Sequence, residues 1–222
     1  MKYNEHSFNS GEFKLPQTQV TTYLNDQLIL VIRSWTGSDH IQTVIDEITR
    51  FLSAADAELE VTTPFDYLES LSTIANKVRI ALLLANDAIY THNKDKYLFG
   101  FEVAVCFKSQ REIVVASMGR FSIQYEKNHK IFNLYQRGGL IDESVLLPPN
   151  LLGIDKTPQV DCYSLSVQEL DEIDMSSYYS EKTFWKIKID QFSWKNLDHT
   201  SSVHENSFYL RYIIPKYFQV ES

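Results

Sequence analysis

Leu28-Ile29-Leu30-Val31-Ile32-Arg33-Ser34-Trp35-Thr36-Gly37 is the stretch on which the reading of this chain turns. Leu28 to Val31 form a continuous apolar run, the pattern of a strand buried on both faces. The run ends in a polar turn, and an amphipathic helix begins at Ile41. Strand ends that open into polar turns are where folds mixing helices and sheets commonly place their chemistry. Here the turn offers Arg33, which is neither a metal ligand nor a base at ordinary pH. The chain is therefore either an enzyme of unusual design or the relic of one.

Outward from this stretch, the chain has 222 residues, enough for one substantial core and short for two, so a single domain over 1–222 is expected. The net charge of −8, from 21 basic and 29 acidic residues with no Lys/Arg cluster, argues against a nucleic-acid partner. Cys106 and Cys162 give neither metal spacing nor a disulfide framework, which fits a reducing compartment. The first residues have no apolar segment and no run of 18 apolar residues occurs, so a cytoplasmic protein without membrane insertion is expected.

Before the central strand, Val20 to Leu24 alternate, and Asn25-Asp26 signals a turn. After it, Ile41, Val44, Ile45, Ile48, Phe51 and Leu52 form one helical stripe, with Ser38 as cap. Thr63-Pro64 announces a second helix of about 27 residues ending near Tyr90, its face carried by Phe65, Leu68, Leu71, Ile74, Val78, Leu82, Ala85 and Ile89. Strands follow: Tyr97 to Phe107, Glu112 to Met118, Phe121 to Tyr125 and Lys130 to Tyr135, read as a β-meander with turns at Ser109-Gln110 and Asn128-His129. Another strand is expected near Val160 to Leu165. The acidic stretch Ser166 to Ser180 reads as a short helix or solvated loop, and Phe184 to Ile189 and Phe208 to Ile214 as the last strands. With helices enough for only one face of a sheet, the economical architecture is α+β, a four-layer α-β-β-α sandwich of two antiparallel sheets with helices outside.

The order of these elements and motifs resembles the type 2C metal-dependent Ser/Thr protein phosphatases. That family opens with Asn-Glu-Asp, where Asn4-Glu5-His6 stands here, and continues with Val-x-Asp-Gly-x-Gly-Gly, where Val31 to Gly37 stands. Gly100-Phe101-Glu102 falls where the family has Gly-Thr-Thr, and Gly119-Arg120-Phe121-Ser122 where it has Gly-Asp-Ser-Arg. Leu151-Leu152-Gly153, Ile189-Asp190-Gln191 and Glu205-Asn206 complete the series. The resemblance implies the sandwich fold and a dinuclear Mn/Mg site, with Glu5, Asp190 and Glu205 at ligand positions and Ser34 where a neighbour supplies a carbonyl. At the place of the bridging aspartate stands Arg33, and at the place of another acid stands His6.

A guanidinium there would repel divalent ions and could pair with the carboxylates left behind. The resemblance with these departures implies a pseudophosphatase without metal cofactor, in which Arg33 takes the place of the ions. Such a domain would act as a regulatory or scaffold protein by binding another protein, plausibly one of a phosphorylation-linked system. The aromatic, acidic stretch between Ser166 and Trp194 is the expected face. The alternatives are a divergent phosphatase holding one Mn or Mg through Glu5, Asp190 and Glu205, and a structural subunit of a larger assembly. Taken singly, each residue also has an ordinary reading: Arg33 as a surface residue, Trp35 as core packing, Asp190 and Glu205 as surface acids, His6 and His40 as solvated.

Overall fold

The computed structural model describes residues 16–35, 39–56, 63–94, 99–136, 150–167, 170, 172–178, 182–190 and 193–197. These form two compact units, each built on one five-stranded antiparallel sheet. The first contains β1 (Gln17–Tyr23), β2 (Leu28–Ser34), α1 (Ile41–Asp56), α2 (Thr73–Asn93), β3 (Phe101–Lys108), β4 (Glu112–Met118) and β7 (Asp161–Ser166). The second contains β5 (Phe121–Lys127), β6 (Lys130–Gln136), β8 (Glu172–Tyr178), β9 (Lys182–Asp190) and β10 (Ser193–Leu197).

In the first unit the strand order is β1-β2-β3-β4-β7. All seven residues of β2 are buried, as the unbroken apolar run predicts. Leu28, Leu30 and Ile32 share a face with Val103, Val105, Phe107, Val114 and Ala116, and this face forms one core with Val44, Ile45 and Ile48 of α1 and Val78, Leu82, Ala85 and Ile89 of α2. The alternate residues Ile29, Val31, Ala104, Cys106 and Val115 are buried as well. They put Arg33 and Glu102 on the face turned away from the helices. The turn before β2 carries Leu24, Asn25 and Asp26 at positive φ, as the Asn-Asp signal anticipates.

Three expectations are corrected. The second helix starts at Thr73, ten residues after Thr63. Ser72 caps it by accepting from the Ala75 N–H at 3.0 Å. The Asn76 side chain holds the preceding turn, accepting from Leu68 N–H at 2.8 Å and donating to the Leu68 carbonyl at 2.9 Å. Phe65 and Leu71 still pack against the core, partly buried, while Leu68 between them is exposed, so this apolar spacing belongs to a turn and not to a helix face. Second, the meander is broken: β3 and β4 pair in the first sheet, β5 and β6 in the second, and the chain passes between units at Gly119 and Arg120. Third, the acidic stretch after Ser166 is largely strand, because Ile173 and Met175 alternate with Asp174 and both are buried.

In the second unit the order is β10-β9-β8-β5-β6, and β8 lies inside the sheet. Asn128 and His129, both at positive φ, make the tight turn of the β5–β6 hairpin. Ser38 and the expected strand Phe208 to Ile214 lie outside the described residues. Among the described residues no helix is long and apolar enough to cross a membrane.

Candidate functional site

The site is built where the end of β2 lies beside the start of β3. Antiparallel register sets Arg33 directly opposite Glu102, with both side chains on one face. Arg33 Nη1 donates to Glu102 Oε2 at 2.8 Å, and the Trp35 indole N–H donates to the same oxygen at 3.1 Å. The guanidinium carbon lies 5.9 Å from the Trp35 ring centroid, within range of a cation–π contact. Arg33 and Glu102 have no exposed side-chain surface, and Trp35 is buried. The Trp35 N–H donates to the Gly100 carbonyl at 3.1 Å, which fixes the turn after β2 to the residue before β3.

Gly119 closes the site from β4. Its φ is +98°, and a Cβ there would stand 2.6 Å from Glu102 Cγ and 2.8 Å from Glu102 Cβ. The glycine of Gly119-Arg120-Phe121-Ser122 is therefore demanded both by backbone conformation and by the space Glu102 fills. Further along the same face of β3 lies Cys106, whose thiol burial pushes well above its ordinary pKa, so it supplies no nucleophile. Leu151-Leu152-Gly153 also has a structural reading. Leu152 exchanges backbone hydrogen bonds with Phe101, and the Gly153 N–H donates to Asn86 Oδ1 of α2 at 2.8 Å.

Of the residues singled out from sequence, Arg33 and Ser34 stand together at the buried end of β2. Asp190 ends β9, where its backbone pairs with Ser193 of β10 in the second sheet. Glu5, His6 and Glu205 lie outside the described residues. Among the described residues no three His, Cys, Asp or Glu side chains cluster as metal ligands. Arg33 is not the surface residue of its ordinary reading, and Trp35 is both core packing and a hydrogen-bond donor.

The residue that sequence reasoning misses is Glu102, which stands there only as part of the counterpart of the Gly-Thr-Thr motif. Its signal was present: Glu102 is the one charge between Phe99 and Phe107, as Arg33 is the one charge in the run from Leu28 to Trp35. A lone charge inside each of two buried strands calls for a partner of opposite sign.

No protein-family model matches the chain, and no curated protein matches it by sequence. Solved structures do resemble it. PppA of Pseudomonas aeruginosa superposes with a TM-score of 0.53 at 11% identity, over 79% of this chain and 76% of that one. The Ser/Thr phosphatase Stp1 of Staphylococcus aureus gives a TM-score of 0.50 at 13% identity, over 78% of this chain and 74% of that one. The Ser/Thr phosphatase PstP/Ppp of Mycobacterium tuberculosis gives 0.50 at 11% identity, over 79% and 77%. Two antiparallel sheets with helices, strands in this order and these structural neighbours give the chain an α+β fold of the type 2C phosphatase kind.

Proposed function

We propose that this phosphatase-like domain is catalytically inactive and serves as a regulatory or scaffold protein through protein–protein binding. The observation that carries the reading is the buried Arg33–Glu102 pair at the end of β2. The sequence resemblance puts the bridging metal ligand at that position. Metal-assisted phosphoester hydrolysis needs two hard cations close together, held by several anionic oxygens. A desolvated guanidinium at the bridging place adds a positive charge where negative charge is required. Glu102, a carboxylate nearby, is already engaged by Arg33 and Trp35. The residues at this place therefore do not suit a divalent-metal centre.

The partner is another protein, of a phosphorylation-linked system: a domain that keeps its core after its chemistry is lost can still bind a former substrate or regulator. The acidic balance of the chain argues against nucleic acid as the partner. The test is a calorimetric titration of chelator-treated protein with Mn²⁺, paired with an assay of p-nitrophenyl phosphate hydrolysis at millimolar Mn²⁺. The expected outcome is no Mn²⁺-dependent turnover. Turnover that depends on Mn²⁺ and disappears in Asp190→Asn would establish the divergent phosphatase instead.

A further inference from the structure

His40 and His92 come together at one end of the first unit, their ring centroids 5.0 Å apart and their planes tilted by 42°. His40 immediately precedes α1 and is half-buried; His92 lies in the last turn of α2 and is exposed. Their spacing is tied down by one short circuit of contacts. The His40 ring packs on Phe99 with centroids 4.3 Å apart. The Phe99 N–H donates to Asn93 Oδ1 at 2.9 Å, and Asn93 Nδ2 donates back to the Phe99 carbonyl at 2.7 Å. Asn93 is the chain neighbour of His92. The residue under the His40 imidazole is thus bonded to the residue beside His92, and this ties the two rings together.

The separation matches what shared coordination requires. A Zn–N distance of about 2.0–2.1 Å puts each ring centre roughly 3.2 Å from the ion, and a tetrahedral angle then sets the two centres about 5 Å apart. The rings are tilted by 42° and do not form a parallel stack. The end of α2 contributes the negative end of its dipole beside His92. Imidazole is a borderline ligand, suited to Zn²⁺, Cu²⁺ or Ni²⁺ and poorly suited to Mg²⁺.

We propose that His40 and His92 form a two-imidazole site for a borderline divalent ion of the Zn²⁺ class, with water completing the shell. The ion joins the start of α1 to the end of α2 and so stabilises the first unit. This site is separate from the Arg33–Glu102 pair and stands whether or not that pair excludes catalysis.

The test is calorimetric titration of the chelator-treated full chain with Zn²⁺, with thermal unfolding read in parallel. The expected result is one saturable ion per chain, a raised Tm with Zn²⁺, no displacement by millimolar Mg²⁺, and a loss of affinity of about tenfold or more in each of His40→Gln and His92→Gln. Far-UV circular dichroism checks that both variants are folded, and His92→Gln, at an exposed position, is the safer of the two. No saturable heat in the wild type overturns the proposal. Binding that is unchanged in both variants overturns it too, since the ion is then held by other histidines.

Discussion

Replacing Glu102 by Gln tests the central claim about Arg33 most directly. The substitution keeps the length of the side chain and one carbonyl acceptor for the Arg33 and Trp35 donors, and removes only the charge. At 2.8 Å and an effective dielectric constant of about 20, the pair attracts with roughly 6 kcal/mol, against which the desolvation of both ions must be set. The desolvation of the guanidinium stays when its partner is neutralised, so the net loss is expected at about 3–5 kcal/mol. With a urea m-value of about 3 kcal/mol/M for a chain of this size, the unfolding midpoint falls by about 1–1.7 M. Trp35, 3.1 Å from the carboxylate through its indole nitrogen, is one of the fluorophores that report the transition. The paired variant Arg33→Met with Glu102→Leu removes both charges and should recover most of the loss, because an apolar pair pays no desolvation. A midpoint shift of under about 0.3 M in Glu102→Gln, or a paired variant no better than the single one, would refute the reasoning.

Three further outcomes are expected. Arg33→Asp should be more damaging than Glu102→Gln, since it opposes two carboxylates in register, and millimolar Mn²⁺ or Mg²⁺ should restore part of its Tm. Gly119→Ala should cost about 2–3 kcal/mol by urea unfolding, through a Cβ 2.6 Å from Glu102 Cγ and a φ of +98°. Both thiols should resist alkylation in the native protein at pH 8 and react fully in denaturant: burial pushes the Cys106 thiol up, and burial pushes Cys162 up to about 12, with Arg79 opposing and Glu112 and Asp161 adding to the rise. The sign follows for stability. Both groups are weaker acids folded than unfolded, so above the ordinary thiol pKa the unfolded chain releases protons that the native one keeps, and stability declines as pH rises.

The central strands of the first sheet, β2, β3 and β4, were legible because they are largely apolar runs, and the turns beside them carry Asn, Asp and Ser where the backbone needs them. The first helix was legible from a stripe of clean period. The start of the second was not, since Phe65, Leu68 and Leu71 keep helical spacing in a segment whose backbone is held by the Asn76 side chain, a contact eight residues away that no local pattern encodes. β8 was missed because only Ile173 and Met175 carry its alternation, inside an acidic stretch. At the site, Arg33 stood out by its place in the chain. Glu102 did not, because what makes it a partner is the register of two strands 69 residues apart, and register is a property of the sheet rather than of either strand.

The closeness of Gly119 to Glu102 also sets an order on how such a sequence can change. Positions 33, 102 and 119 are mutually constrained: losing the charge at 102 takes the carboxylate from the guanidinium, losing it at 33 takes the guanidinium from the carboxylate, and any side chain at 119 collides with Glu102. A single step toward an acid at 33 passes through a destabilised protein, while a step that first shortens residue 102 opens space beside position 119 but leaves its positive φ in place and takes the carboxylate from Arg33. The arrangement therefore works as a ratchet, in which paired substitution is the passable route to a different strand end.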